Sequence, residues 1–280
     1  MRCIIGYAIL GVVALTLGIL AINMTTEEHD GMAQVSINRV VWSYLRTDDC
    51  EIFYPKNALS ANGTVLIHYP GVIMLHAGGW SGGNRDNVAP LCIALAKRGA
   101  VVVNIDYTLA SEAGMPTYAT TMADIEAAIV FTRALGCVTG KPVTLMGVSA
   151  GGHLAAMYAA TATANLPDKV MPISAPVDLR VWDIPEFRNS LTWMLGDTDV
   201  STLESHSPLL VQQNPAIEQL SVWGGADGFL GLMSRPEYMS VLGSLPSAGG
   251  VLIPGAGHMM DNRVEQWAAI AAVWCGCSQP

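Results

Sequence analysis

Beyond residue 34 the chain alternates short, β-branched apolar runs with longer stretches whose apolar residues recur at helical spacing. Val72–Leu75, Ala100–Ile105, Val143–Met146, Val170–Ile173, Leu220–Trp223 and Gly250–Ile253 read as strands. Val88–Arg98, Met122–Leu135, His153–Ala164 and Asp261–Trp274 read as helices. Gly99 stops the first, Gly136 stops the second, and Asp261 is placed to cap the last. Val41–Tyr54, ending at Pro55, reads as an early antiparallel hairpin. Short apolar strands alternating with helices predict an α/β fold, with a mostly parallel central sheet covered by helices on both faces. Trp182–Pro215 breaks the rhythm and reads as a short helical insertion on the substrate side.

The N-terminal stretch differs in kind. Ile4 to Ile22 is about 19 residues without a charge, long enough to cross a bilayer. Arg2 precedes it, and Glu27, Glu28 and Asp30 follow, which places the rest of the chain outside. The nearest cleavage site ends at Ala21 with bulky Ile19 two residues before it, which favours an uncleaved anchor over a cleaved signal peptide. Either reading implies export: membrane-anchored through this segment, or secreted or periplasmic after cleavage. The expected organisation is a signal-anchor or signal peptide at 1–23, a linker at 24–34, and a catalytic domain at 35–280.

Composition narrows the classes. With 51% hydrophobic and 13% charged residues, the 280-residue chain can bury a large core and is not disordered. Its formal charge is −9 and no Lys/Arg cluster occurs, which argues against nucleic acid as a partner. Of six cysteines, Cys3 falls at the apolar segment, and the remaining five cannot all pair with one another. Cys275-Gly276-Cys277 reads either as a local redox pair or as two unrelated thiols. No metal-ligand spacing supports zinc, nor does a set of His76, His153 and His258. Oligomeric state is not written in the sequence.

The chemistry is concentrated in four segments. Gly147-Val148-Ser149-Ala150-Gly151 fits G-x-S-x-G, which turns a strand sharply into a helix with the serine exposed at the apex. Five residues match easily in a chain with 28 glycines, so the flanking strand-like VTLM and helix-like GGHLAAMYAATA carry the weight. His76-Ala77-Gly78-Gly79-Trp80 follows another apolar strand, where N–H groups of flexible glycines point at a developing oxyanion. Gly78 and Gly79, with the N–H of Ala150, are the expected donors, and His76 is expected to organise the loop. Asp227 and His258 each follow a later strand, completing the order Ser, Asp, His. Open α/β sheets gather their sites at the carboxyl ends of strands. His258 is then the base that takes the Ser149 proton, and Asp227 orients it. Asp178, Asp183 and Asp197 compete for the orienting role. His153 is read as structural, and His29, His68 and His206 have no pattern around them.

HAGGW, GVSAGGHLA, GGADG and PGAGH together resemble the esterase/lipase branch of the α/β-hydrolases, over about Trp42 to Trp274. That branch includes hormone-sensitive-lipase-like carboxylesterases, acetylxylan and feruloyl esterases, and kynurenine formamidase. The formamidase-type H-G-G-x-W is matched at Trp80 but not at Ala77, which lacks glycine's freedom at positive φ. SAPVDLR (Ser174–Arg180) and SPLL (Ser207–Leu210) are weaker similarities. The resemblance implies a cofactor-free serine hydrolase acting on a small carboxylic ester through an acyl-enzyme. Two alternatives stay open: an arylformamidase-like amide hydrolase using the same triad, and a non-catalytic binding module of the same fold.

Overall fold

The apolar runs assemble as neighbours in one sheet. The computed structural model describes residues 37–42, 50–60, 63–182, 184–232 and 234–277. Its strands are β1 (Ile37–Trp42), β2 (Cys50–Pro55), β3 (Gly71–Leu75), β4 (Val101–Ile105), β5 (Val143–Val148), β6 (Lys169–Ile173), β7 (Glu218–Gly224) and β8 (Ala248–Ile253). They form a sheet of eight strands in the order β1-β2-β4-β3-β5-β6-β7-β8. β1 pairs antiparallel with β2, and β2 with β4; every other pairing is parallel. The expected hairpin is therefore β1–β2, beginning at Ile37 rather than Val41.

The helices are α1 (Ala89–Ala96), α2 (Tyr118–Ala134), α3 (Ala150–Thr161), α4 (Pro185–Leu195), α5 (Val200–Ser205), α6 (Arg235–Leu242) and α7 (Val264–Cys275). Successive strand side chains point to opposite faces. Ile73, Leu75, Val103, Val143 and Leu145 join one core with Ile125 and Ile129 of α2 and Leu154 of α3. Val72, Met74, Val102, Met146 and Val148 join the other with Leu91 and Leu95 of α1 and Trp267 of α7. Both faces are dry, which is why these strands carry no polar alternation. Each such side chain contributes roughly 1.5–3 kcal/mol by burial, enough in sum to hold the loops at the strand ends on a rigid platform.

Several boundaries differ from the sequence reading. α3 begins at Ala150 rather than His153, and α2 at Tyr118 rather than Met122, because threonines in its first turns obscure the apolar stripe. Asp261 does not cap α7. A short turn, Asp261–Arg263, intervenes, and the Asp261 carboxylate accepts from the Asn262 N–H (3.0 Å). α6 was not anticipated, since Gly and Pro flank it, yet its Tyr238 and Leu242 are fully buried. The insertion is α4 and α5, after β6. The apolar segment at 4–22 and the linker to residue 34 lie outside the described residues, among which no helix is long and apolar enough to cross a membrane.

Candidate active site

Ser149 stands between β5 and α3 at φ 54° and ψ −119°. A non-glycine residue held there costs on the order of 1–3 kcal/mol and persists only where its surroundings impose it. Here its N–H donates to the Ile173 carbonyl (2.8 Å), and its carbonyl accepts from the His153 N–H (2.9 Å). Two residues on, a Cβ at Gly151 would lie 2.5 Å from the His76 carbonyl oxygen and 2.6 Å from that of Leu75. Only glycine lets the start of α3 approach the loop after β3 so closely. That contact sets Ser149 beside the glycine loop. Ala150, as the first residue of α3, has an N–H without an intrahelical acceptor, at the positive end of the helix dipole.

In the glycine loop, positive φ falls at Gly78 (141°), Gly79 (57°) and Trp80 (66°), and not at Ala77. The departure at Ala77 is therefore accommodated without left-handed backbone. His76 anchors the loop: its Nδ1 donates to the Ala77 carbonyl (2.7 Å), its ring stacks on Tyr107 at 4.3 Å, and the Tyr107 hydroxyl donates to its carbonyl (2.9 Å). Desolvation holds the His76 pKa below its usual value, against the opposing influence of the Ala77 carbonyl and Asp106.

His153 links three elements. Trp80 Nε1 donates to its Nδ1 (3.2 Å), and its Nε2 donates to the His206 carbonyl just after α5 (2.8 Å). Indole nitrogen only donates, so Nδ1 must be unprotonated and the ring neutral. Burial lowers the His153 pKa to about 4, with the His206 carbonyl opposing the shift. A histidine whose folded pKa lies below its unfolded value of about 6.5 contributes stability at neutral pH that is lost as pH falls between the two values, roughly 3 kcal/mol in all. His153→Gln, which can accept and donate but not titrate, is expected to flatten the dependence of the urea midpoint on pH between about 6.5 and 4. An unchanged slope would show that His153 is not the group responsible.

On the other side, His258 Nδ1 donates to Asp227 Oδ2 (2.8 Å), and the Phe229 N–H donates to Asp227 Oδ1 (2.8 Å). The Asp227 side chain is fully buried, whereas that of His258 is 20% exposed. Burial pushes the Asp227 carboxyl upward, but His258, the Phe229 N–H and the Ser174 hydroxyl outweigh it, and its pKa is lowered. The two loops are tied together: Gly225 N–H donates to the Ile253 carbonyl and Ala226 N–H to that of Ala256, both at 2.8 Å. Asn262 closes the His258 loop, accepting from the Gly257 N–H and donating to the Gly255 carbonyl, each at 2.8 Å. The competing acids are used elsewhere. Asp178 accepts from Arg180 Nη2 (2.9 Å) and caps a short turn, Asp197 accepts from the Asp199 N–H (3.2 Å), and Asp183 lies outside the described residues.

A chain of rings joins the two halves. Phe229 meets His258 at 5.0 Å, Trp182 meets Phe229 at 5.7 Å, and Phe187 of α4 meets both Trp182 and Trp80 at 6.3 Å. Phe187 also covers Gly79, where a Cβ would lie 2.4 Å from its ring. The insertion thus walls the space between the glycine loop and His258 with aromatic surface. Sequence reasoning missed Phe187, Phe229 and the Trp80–His153 bond, because each acts through a contact distant in sequence, and it missed Asn262, whose contacts are local but follow no motif. The nearest signal was the insertion's content of Trp and Phe.

The known structures that resemble this one share its architecture. A truncated carbohydrate esterase from gut microbiota superposes with a TM-score of 0.66 at 18% identity, covering 84% of this chain and 94% of its own. A thermophilic esterase from Thermogutta terrifontis, with propionate bound, gives 0.64 at 20% identity, covering 87% and 96%. An esterase from Pyrobaculum calidifontis gives 0.61 at 22% identity, covering 80% of each chain. These likenesses establish the fold as that of the α/β-hydrolases. No curated protein is a significant match. The BD-FAE family model matches residues 52–208, which include the glycine loop, the elbow and the insertion and make up more than half of the chain. The chain belongs to the BD-FAE family.

Proposed function

We propose that the protein hydrolyses carboxylic esters through an acyl-enzyme on Ser149. The observation that carries this reading is the 2.8 Å bond from His258 Nδ1 to a buried Asp227 carboxylate, on loops past the carboxyl ends of β7 and β8, the same end of the sheet at which Ser149 follows β5 at positive φ. With Nδ1 protonated, His258 Nε2 carries the lone pair. It takes the Ser149 proton as Oγ attacks the ester carbonyl, and Asp227 stabilises the imidazolium that results. The oxyanion is met by N–H groups of Gly78, Gly79 and Ala150. His258 then gives its proton to the leaving alkoxide. Water, deprotonated by the same nitrogen, releases the acid and restores Ser149. The three structural relatives, each named an esterase, favour the same reaction class.

The test is a substrate panel. Short acyl esters of a chromogenic phenol are expected to turn over faster than an N-formyl aromatic amide. Turnover of the amide alone would make the protein an amidase of the formamidase type, and turnover of neither would favour a binding module.

A further inference from the structure

A second set of reactive groups lies at the opposite end of the strands, near the starts of β5 and β6. α7 ends in a chain reversal: Gly276 takes φ 76°, its N–H donates to the Val273 carbonyl (3.1 Å), and the Cys277 N–H donates to that of Ala272 (2.9 Å). This paired pattern lays the residue after the glycine back against the last helical turn. The thiols on either side of Gly276 lie near each other in one buried cluster. Cys275 is fully buried, and Cys277 is partly accessible.

Their surroundings are polar in a way that helix packing does not require. The Thr144 hydroxyl of β5 is buried without a hydrogen-bond partner among the described residues, and it lies near the Cys275 sulfur. Lys169 Nζ of β6, held by the Trp274 carbonyl (2.9 Å) and Glu218 (3.1 Å), brings a positive charge to the same spot. Thr144 is the second residue of β5 and Ser149 follows the strand's end, so the thiols stand about 16 Å along the strand from the nucleophile. The neighbouring Cys275 lowers the Cys277 pKa, while Cys277 and burial raise that of Cys275. By contrast, Cys92 and Cys137 are single thiols that burial pushes up. An accessible thiol closer to its thiolate, backed by a buried one, matches the attacking and resolving halves of a dithiol.

We propose that Cys275 and Cys277 form a redox site that reduces low-molecular-weight disulfides and closes to an internal disulfide. The Cys277 thiolate attacks one sulfur of the small disulfide. That S–S bond breaks, and the departing thiolate takes up the proton Cys277 has lost. Cys275 then attacks the Cys277 sulfur and displaces the second small thiolate, which takes the proton from Cys275. Two protein thiols are oxidised by two electrons, and one disulfide is reduced to two thiols. The Thr144 hydroxyl and Lys169 stabilise the charge that develops on the Cys275 sulfur.

The test exposes the reduced full chain to oxidised glutathione and maps the tryptic peptide that follows Arg263, which contains no other cysteine. The expected product is that peptide short of two hydrogens, with no glutathione attached. Cys275→Ser is expected to stop with one glutathione on Cys277, and Cys277→Ser to react about tenfold or more slowly. A stable glutathione adduct on Cys277 of the unaltered chain would overturn the proposal. So would oxidation of Cys277→Ser at the unaltered rate, and this partly exposed position keeps the test independent of any folding defect in the buried variant.

Discussion

Ser149→Ala is expected to lower kcat for a short acyl ester by roughly ten-thousand- to a million-fold, the range seen when a triad serine is removed. The substitution deletes one oxygen and nothing else. Alanine keeps the Cβ, so the residue meets the same steric cost at φ 54°, and the backbone bonds to Ile173 and His153 do not involve the side chain. The urea midpoint should therefore correspond to a stability within about 1 kcal/mol of the unaltered protein. The remaining rate comes from the oxyanion donors and from binding, which survive the change. Activity within about tenfold of the unaltered enzyme would place the nucleophile elsewhere.

Asp227→Asn should cost about ten-thousand-fold in kcat, with little change in KM. The amide is nearly isosteric and its oxygen can still accept from the Phe229 N–H, so the loop after β7 keeps its shape. What changes is the imidazole. An amide N–H facing His258 Nδ1 forces the proton onto Nε2, where a base is needed to take the one from Ser149. Asp178→Asn is the matched control. That carboxylate binds Arg180 and caps a turn, and its loss should leave kcat within a few-fold. If Asp178→Asn were the more damaging of the two, the assignment of the orienting acid would be wrong.

The sheet was legible because its strands are buried on both faces. Val72–Leu75 is an unbroken apolar run for that reason, Val143–Met146 is broken only by a buried Thr144, and the structure extends the second to Val148. The bond from His258 to Asp227 was legible as order along the chain, since each residue follows its own strand. What was not legible depends on contacts between segments far apart in sequence. The positive φ of Trp80 goes with an indole that donates to His153, 73 residues later. α6 carries no amphipathic signal strong enough to outweigh its flanking Gly and Pro, and its place is set by burying Tyr238 and Leu242. Asp261 looked like a helix cap because nothing local distinguishes a cap from a turn one step earlier.

The central claim, that Ser149 is the nucleophile of an acyl-transfer site, is tested most directly by covalent trapping. A short-chain alkyl phosphonate ester with a good leaving group is incubated with the full chain, and the adduct is located by peptide mass mapping. The expected result is one phosphonyl group per chain on Ser149, with labelling and ester hydrolysis lost in parallel. A stoichiometric label on another residue, or complete labelling with hydrolysis undiminished, would contradict the account.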